Sequence, residues 1–286
     1  MLGLADILNA IGKRTLLMGV LNVTPDSFSD GGLFFDSEAA IEQGLRMAEE
    51  GADLIDIGGE SSRPGAEPLS ADEEMRRVIP VIESLAKQIP TPISIDTYKA
   101  NVAREAVAKG AQIINDISAL TFDPEMLPLA AKLNVPVCLM HMRGTPKTMQ
   151  DDLIYNNVVA EVKEFLSTRI DSCLQAGIKK EHIWIDPGIG FGKDLEQNLE
   201  LLRNLPELKS LGYPVLVGPS RKGFIGKLLG GLPPEERLEG TEAVVAYSIS
   251  KGVDIIRVHD IIATKRVITI TDALVRGISQ QIDSLQ

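Results

Sequence analysis

The stretch Ile185-Asp186-Pro187-Gly188-Ile189-Gly190-Phe191-Gly192-Lys193 governs how the rest of the chain is read. Trp184 and Ile185 end a short apolar run, so Asp186 is the first polar side chain where a buried strand leaves its sheet. Pro187 removes a backbone donor, and Gly188, Gly190 and Gly192 permit positive φ, so the strand stops and the backbone can come close to a ligand. A carboxylate in such a place is costly unless something binds it. Taken alone, a Pro-Gly turn after a strand suits a structural turn as well as a ligand site. The reading gains force because the pattern recurs: an apolar run, then Asp, Asn, His, Ser or Arg at its C-terminal end.

Eight such runs are expected to be strands: Leu16 to Val23, Leu54 to Gly58, Ile93 to Thr97, Ile113 to Ile117, Val135 to His141, Ile183 to Asp186, Val215 to Gly218 and Ile255 to His259. Helical periodicity lies between them. Asp36 or Ser37 is the expected cap of a helix over Ser37 to Glu50, and Ser70 with Glu73 has capping-box spacing at the head of Ser70 to Leu85. Lys99 to Lys109, Asp152 to Gln175, Leu195 to Leu211 and Gly240 to Lys251 are each followed by a glycine, where a left-handed cap belongs. Strands and helices in alternation, with continuously apolar strands, imply a parallel sheet covered by helices. Eight units predict an α/β fold closed into a (β/α)8 TIM barrel, with its site at the C-terminal ends of the strands. One domain spans 1–286, with 1–14 an N-terminal extension and the barrel at about 15–280. Thr24 to Asp36 and Gly59 to Leu69 exceed ordinary βα loops and are expected to be moving, functional loops.

The 286 residues are 44% apolar and 24% charged, without low-complexity blocks, which suits an ordered globular chain of barrel size. A net charge of −11 without a basic stripe excludes nucleic acid as the main partner. Cys138 and Cys173 have no metal-type spacing and read as buried, reduced thiols. Met1 to Thr15 is too short for a membrane span and lacks a signal-peptide layout, so a cytoplasmic protein is expected.

The strand ends carry the chemistry. Strand 2 delivers Asp56, and Asp96, Asn115, Asp116 and Asp186 supply several acceptors and few donors, which suits a ligand rich in N–H groups. Carboxylates this close repel one another unless a cation or a donor-rich ligand lies among them. Asp and Asn without clustered histidines point away from zinc, while Mg2+ held partly through a ligand's phosphates is compatible. Arg257 and His259 alternate with apolar neighbours and therefore share the inward face of the last strand. With Lys222 in Ser220-Arg221-Lys222-Gly223 they form a cation set where barrels often bind phosphate. Pro64 forces an extended approach on Arg63, which either aims its guanidinium inward or leaves it solvated. Of the three histidines, His182 reads as structural, His141 as either structural or functional, and His259 as an anion ligand.

Assembled, these motifs resemble the dihydropteroate synthase family from about Leu17 to the end of the last strand. The carriers are Asn22-Val23-Thr24-Pro25-Asp26-Ser27-Phe28-Ser29-Asp30-Gly31-Gly32, Gly59-Glu60-Ser61-Ser62-Arg63-Pro64-Gly65, Ile95-Asp96-Thr97, Asn115-Asp116, His141-Met142-Arg143-Gly144, Asp186-Pro187-Gly188, Ser220-Arg221-Lys222 and Arg257-Val258-His259-Asp260. The resemblance implies a transferase of folate biosynthesis that joins 6-hydroxymethyl-7,8-dihydropterin diphosphate to 4-aminobenzoate by an SN1-like route, assisted by Mg2+. By the same resemblance Asp96, Asn115, Asp186 and Lys222 hold the pterin. Asn22, Arg63, Arg257 and His259 meet the diphosphate, with Asn22 on the metal. Phe28, Ser62, Arg63, Pro64, Phe191, Lys222 and Gly223 meet 4-aminobenzoate. Asp96, Asp30, Lys222, Arg257 and His259 are the expected catalytic residues. The backbone N–H groups of a helix starting near Arg221 are expected to meet the aminobenzoate carboxylate.

A homodimer, with an interface among the helices after strands 6, 7 and 8, and sulfonamide binding are further implications. Ser62 stands where relatives usually carry threonine, Ile189 where many carry phenylalanine, and Gly223 where some carry serine, which bears on affinity rather than on the reaction. Two alternatives are a methyltetrahydrofolate-binding methyltransferase barrel, which shares the pterin set without needing the Arg63 loop, and a pterin-binding paralogue without catalysis.

Overall fold

The computed structural model describes residues 3–24 and 32–277. Among them eight strands form one sheet: β1 Leu16–Asn22, β2 Leu54–Gly58, β3 Ile93–Asp96, β4 Ile113–Asp116, β5 Val137–Met140, β6 Ile183–Asp186, β7 Leu216–Val217 and β8 Ile255–Val258. All pairs are parallel, in the order β6-β5-β4-β3-β2-β1-β8-β7. A parallel bridge between Ile185 and Val215 joins β6 to β7 and closes the ring. The expected (β/α)8 barrel is therefore present. Its strands are shorter than expected where a proline precedes them. Pro136 has no N–H to give, so β5 begins at Val137 rather than Val135, and the Pro136 carbonyl accepts from Ile114 N at 2.9 Å. Pro214 acts alike ahead of β7, accepting from Ile185 N at 2.9 Å.

Eleven helices cover the sheet or its ends among the described residues: α1 Leu4–Ala10, α2 Gly32–Glu50, α3 Ala71–Gln88, α4 Ala100–Ala108, α5 Met126–Leu133, α6 Val158–Gln175, α7 Leu195–Arg203, α8 Leu205–Lys209, α9 Gly223–Leu228, α10 Leu238–Ser250 and α11 Ile261–Arg276. Ser70 caps α3 as expected, its Oγ accepting from Glu73 N at 3.3 Å. Other boundaries move. α2 begins at Gly32, so Asp36 and Ser37 lie inside it rather than capping it. α6 starts at Val158 instead of Asp152 because Asn157 Oδ1 accepts from Ala160 N at 2.9 Å. The expected helix from Leu195 to Leu211 divides at Asn204, with Pro206 at the head of α8.

The pairing register sorts inward from outward residues. Leu16, Met18, Leu54, Ile113, Cys138, Trp184, Leu216 and Ile255 form one buried cluster inside the ring, near the strands' N-terminal ends. Ile7 of α1 is fully buried in that cluster, with Leu4, Leu8 and Ile11 beside it. Within the expected N-terminal extension, α1 therefore plugs the bottom of the barrel. A larger apolar layer, including Ile55, Ile57, Val78, Ile82 and Leu85, packs the helices onto the outer face of the sheet. Following the inward face upward replaces the apolar set by Asp56, Asp96, Asn115, Asp186 and Arg257.

Candidate active site

Asp56 lies one inward step above Leu54, is fully buried, and organises the upper end of the barrel. Its Oδ2 accepts from Arg257 Nε at 2.6 Å and from Asn115 Nδ2 at 2.9 Å. Arg257 also donates from Nη2 to Asp96 Oδ2 at 2.7 Å. One guanidinium thereby joins two carboxylates from neighbouring strands. Burial opposes the charge on Arg257, but Asp56 and Asp96 outweigh it and raise its pKa. Burial raises Asp96 to about 7, against the pull of Arg257 and with repulsion from Asp56. With its NH2 committed to Asp56, Asn115 keeps its amide oxygen to accept from a ligand.

Asp186 ends β6 opposite Met140 of β5. Its Oδ1 accepts from Gly188 N at 2.7 Å, which leaves the second oxygen for a ligand. Burial lifts its pKa to about 6, partly opposed by the Gly188 bond and by Lys222. Gly188 has a φ of 68°, and a Cβ there would meet His141 O at 1.9 Å, so the turn under Asp186 admits only glycine. Lys222 faces this carboxylate from the loop after β7. Its Nζ is 4.0 Å from the centroid of the Phe191 ring. Burial, then repulsion from Arg257, lower its pKa to about 8.

These groups line one small cavity, open to solvent, at the C-terminal end of the barrel. Asp96, Asn115, Asp186, Lys222 and Arg257 form its polar part, while Ile117, Met140, Ile189 and Phe191 form apolar walls, with Ser62 at the edge. Gly218 opens the wall beside Arg257, where a Cβ would stand 3.8 Å from the arginine side chain. Three polar acceptors, two cations and flat apolar walls suit a planar, donor-rich heterocycle that carries an anionic substituent.

Several expected site residues stand elsewhere. Asp116 points away from the cavity: it accepts from Ser118 N and Ser118 Oγ, both at 2.7 Å, and from Leu120 N at 3.2 Å, holding the turn after β4. Arg63 and Pro64 are exposed on the loop after β2, so the Arg63 guanidinium is outside the cavity lining. His259 also lies outside that lining, with Nδ1 2.9 Å from Ser220 Oγ. Burial, with Arg257 and Arg221 nearby, lowers its pKa to about 4, so it is neutral rather than cationic at neutral pH. Asn22 ends β1 opposite Gly58, on the inward side that includes Asp96 one strand further. Gly223 begins α9, a helix of six residues that starts two residues after Arg221. Arg221 itself has a φ of 56° and turns its guanidinium to Asp260, at 3.1 and 2.7 Å. Phe28 and Asp30 lie outside the described residues. His182, in a single 3-10 turn before β6, is structural in position.

Two polar residues were not singled out from sequence. Asp56 carries no expected role in the sequence, although the parity of β2 places it inward below Gly58. Glu60 anchors the loop after β2: it accepts from Tyr98 OH at 2.5 Å and Leu69 N at 3.0 Å, and pairs with Lys99. Its partners come from two segments, the end of its own loop and the turn after β3, and sequence spacing carries no sign of that meeting.

A closed parallel barrel with an acceptor-rich cavity and two cations at its C-terminal mouth defines an enzyme of the ring-binding barrel class. The chain belongs to the pterin-binding enzyme family, which it matches over residues 18–259, and within it to the dihydropteroate synthases. It is 52% identical over 265 residues to the dihydropteroate synthase of Synechocystis sp., covering 93% of this chain and 92% of that one. The structure of Xanthomonas albilineans dihydropteroate synthase with 4-aminobenzoic acid superposes with a TM-score of 0.87 at 51% identity, covering 92% of this chain and 94% of that one. The same organism's enzyme in complex with 7,8-dihydropteroate gives a TM-score of 0.84 at 48% identity, with the same coverage of each chain. The chain is accordingly a transferase of folate biosynthesis.

Proposed function

We propose that the chain joins 6-hydroxymethyl-7,8-dihydropterin diphosphate to 4-aminobenzoate, releasing diphosphate and giving 7,8-dihydropteroate. The observation that carries this reading is the cavity in which Asp96, Asn115 and Asp186 offer acceptors beside Lys222 and Arg257. A pterin presents an amidine-like N–H edge to Asp186 and Asn115 and a carbonyl to Lys222, so each group meets its complement. Phe191 and Ser62 line the cavity and, together with the exposed loop residues Arg63 and Pro64 and with Gly223, are the residues we assign to 4-aminobenzoate. Phe28 belongs to the same proposed set.

The amine nitrogen bonds to the pterin methylene carbon as the carbon–oxygen bond to diphosphate breaks, and the nitrogen then loses a proton. In the SN1-like order, departure comes first and Asp96 offsets the charge developing on the pterin. Arg257 meets the leaving diphosphate, with Arg63 and Asp30 added if the loops close over the site. His259 reaches the same region as a neutral donor, and an arriving polyanion raises its pKa. Among the described residues no group of three or more His, Cys, Asp or Glu could hold a metal. Such a donor set fits Mg2+ taken mainly through the substrate's phosphates, with the Asn22 amide oxygen as the protein ligand. When bound, Mg2+ neutralises charge on the leaving group.

We place the protein in the cytoplasm as a homodimer. Tyr247 of α10 and Ile262, Ile270, Leu274 and Val275 of α11 are exposed apolar residues on neighbouring helices, which supports an interface there. Among the described residues no helix is long and apolar enough to cross a membrane. Sedimentation at micromolar concentration should give twice the chain mass, and a monomer would remove the dimer.

The activity test incubates purified protein with both substrates and Mg2+, following dihydropteroate and diphosphate. Arg257→Ala should lower kcat by about 10²- to 10³-fold, the effect of losing one preorganised contact to the departing charge. Pterin diphosphate binding without any product from the wild type would reject the synthase reading.

A further inference from the structure

Lys193, the last residue of the glycine-rich stretch, has no assigned part in the reaction, yet it is 3% exposed. Its Nζ lies 2.8 Å from Phe191 O, 3.0 Å from Gly188 O, 3.0 Å from His141 Nδ1 and 3.3 Å from His141 O. Burial lowers the pKa of Lys193 to about 7, against the pull of Asp186; in its protonated form the group only donates, so His141 Nδ1 accepts and the imidazole proton is on Nε2. His141 is neutral, its pKa lowered to about 2 by burial and then by Lys193. The three N–H bonds of this one nitrogen are thus shared among four acceptors, at the end of β5 and in the loop leaving β6. A surface lysine gains little from such contacts. A buried one with four acceptors around it is a structural centre.

The loop that it gathers bears on both halves of the cavity. At its start, Asp186 is held independently by strand pairing, by its bond to Gly188 N and by His141 N donating to Asp186 O at 3.0 Å. At its far end, Phe191 has fewer ties: its N–H donates to Gly188 O at 3.0 Å, and its carbonyl is taken by Lys193. The Phe191 ring is the wall against Lys222.

We propose that Lys193 is a positioning residue that holds Phe191 against Lys222, and so sets affinity for the aminobenzoate more than for the pterin. This rests on the functional reading given above. Lys193 touches no substrate. It acts through the backbone of the loop whose other anchors are Asn198 Oδ1, accepting from Gly190 N at 2.6 Å, and Tyr155 OH, donating to Gly192 O at 2.9 Å. Because those anchors remain in a Lys193 variant, the loop should loosen around Phe191 rather than unfold.

The test compares wild type with Lys193→Met, a chain of similar length without a donor, by steady-state kinetics in each substrate. Lys193→Met should raise the KM for 4-aminobenzoate by about 10-fold or more, in line with losing one apolar wall of a pocket. The KM for pterin diphosphate should rise less, and kcat should stay close to wild type. Amide hydrogen exchange over residues 187–193 in the unliganded proteins should speed up in the variant, and this readout does not depend on turnover. Unchanged exchange together with unchanged KM values overturns the proposal. So does a uniform loss in both KM values and kcat, which marks a merely structural lysine.

If Lys193→Met does not fold, the pair His141→Leu and His141→Asn tests the clamp from its other side. Asn keeps an acceptor near the Nδ1 position and should preserve the aminobenzoate KM, while Leu should raise it; equal behaviour of the two overturns the proposal. A wild type that makes no dihydropteroate sinks the functional reading instead, and the exchange measurement still decides the clamp.

Discussion

The two ends of the barrel are built from the same strands on the same inward face, and they do opposite things. Below, Leu16, Met18, Leu54, Ile113, Cys138, Trp184, Leu216 and Ile255 close around Ile7 of α1 as a dry apolar plug. One or two inward steps above, Asp56, Asp96, Asn115, Asp186 and Arg257 face one another, and Asp56 Oδ1 is buried without a protein partner among the described residues. Apolar burial stabilises the lower end at roughly 25 cal/mol per Å². The upper end costs stability because carboxylates are desolvated there before any ligand arrives. Binding capacity is placed where folding energy is poorest, supported by a layer where it is richest.

The largest test of this division is Trp184→Ala. Removing the fully buried indole should cost about 3–5 kcal/mol of stability, and denaturant unfolding would measure it. If the ends are separable, kcat per folded molecule stays near wild type. A fall in kcat without a loss of stability would break the comparison.

Asp186→Asn should do the reverse. The native carboxyl holds its proton to about pH 6, whereas an unfolded one releases it near pH 4. Between those values the native state binds more protons, so this group's contribution to stability falls as pH rises, and its cost is fully present above about pH 6. Asparagine removes that cost and keeps an acceptor for Gly188 N, so the unliganded variant should melt higher than wild type at pH 8. It should also bind pterin more weakly by about 10- to 100-fold, as expected for losing a hydrogen bond to a charged acceptor. Calorimetry of both proteins at pH 8 checks the pair of effects; a variant less stable than wild type would refute the strained upper end.

A smaller effect is expected in the pH profile of kcat/KM. Ionised Asp96 and Asp186 set the acid side near pH 7 and pH 6 and protonated Lys222 a basic limb near pH 8, giving a bell whose acid side becomes shallower, with a single ionisation near pH 7, in Asp186→Asn. Smallest of all is Gly223→Ser. A Cβ at Gly223 meets nothing within 4 Å, so stability should change by less than about 0.5 kcal/mol, and only the aminobenzoate KM should shift. A large loss of stability would mean that α9 is packed more tightly than its open side indicates.

Much of the fold was legible because a parallel barrel writes its strands as short apolar runs, each ending where a polar residue appears. Periodicity or caps strong enough to read marked α2, α3, α4, α6, α10 and, as one helix, α7 with α8, while α1, α5, α9 and α11 did not stand out. In α5, Met126, Leu129 and Ala130 are buried, but a helix of eight residues offers too few turns for a clear period. The strand ends named Asp96, Asn115, Asp186, Lys222 and Arg257 as site residues, and they line one cavity. The same rule overreached at Asp116. Adjacent residues in a strand face opposite sides, so if Asn115 enters the barrel its neighbour leaves it.

Composition, the recurrence of strand and helix, and the polar residue at each strand end determined that this chain is an acidic barrel enzyme with an acceptor-rich site. Those features are local, and local sequence carries them. Only the tertiary structure decided that Arg257 bridges Asp56 and Asp96, that His259 is neutral beside Ser220, and that Lys193 ties Phe191 to the end of β5. Each depends on which residues barrel closure brings together across 39 to 201 positions of chain, and on desolvation that no residue exerts by itself.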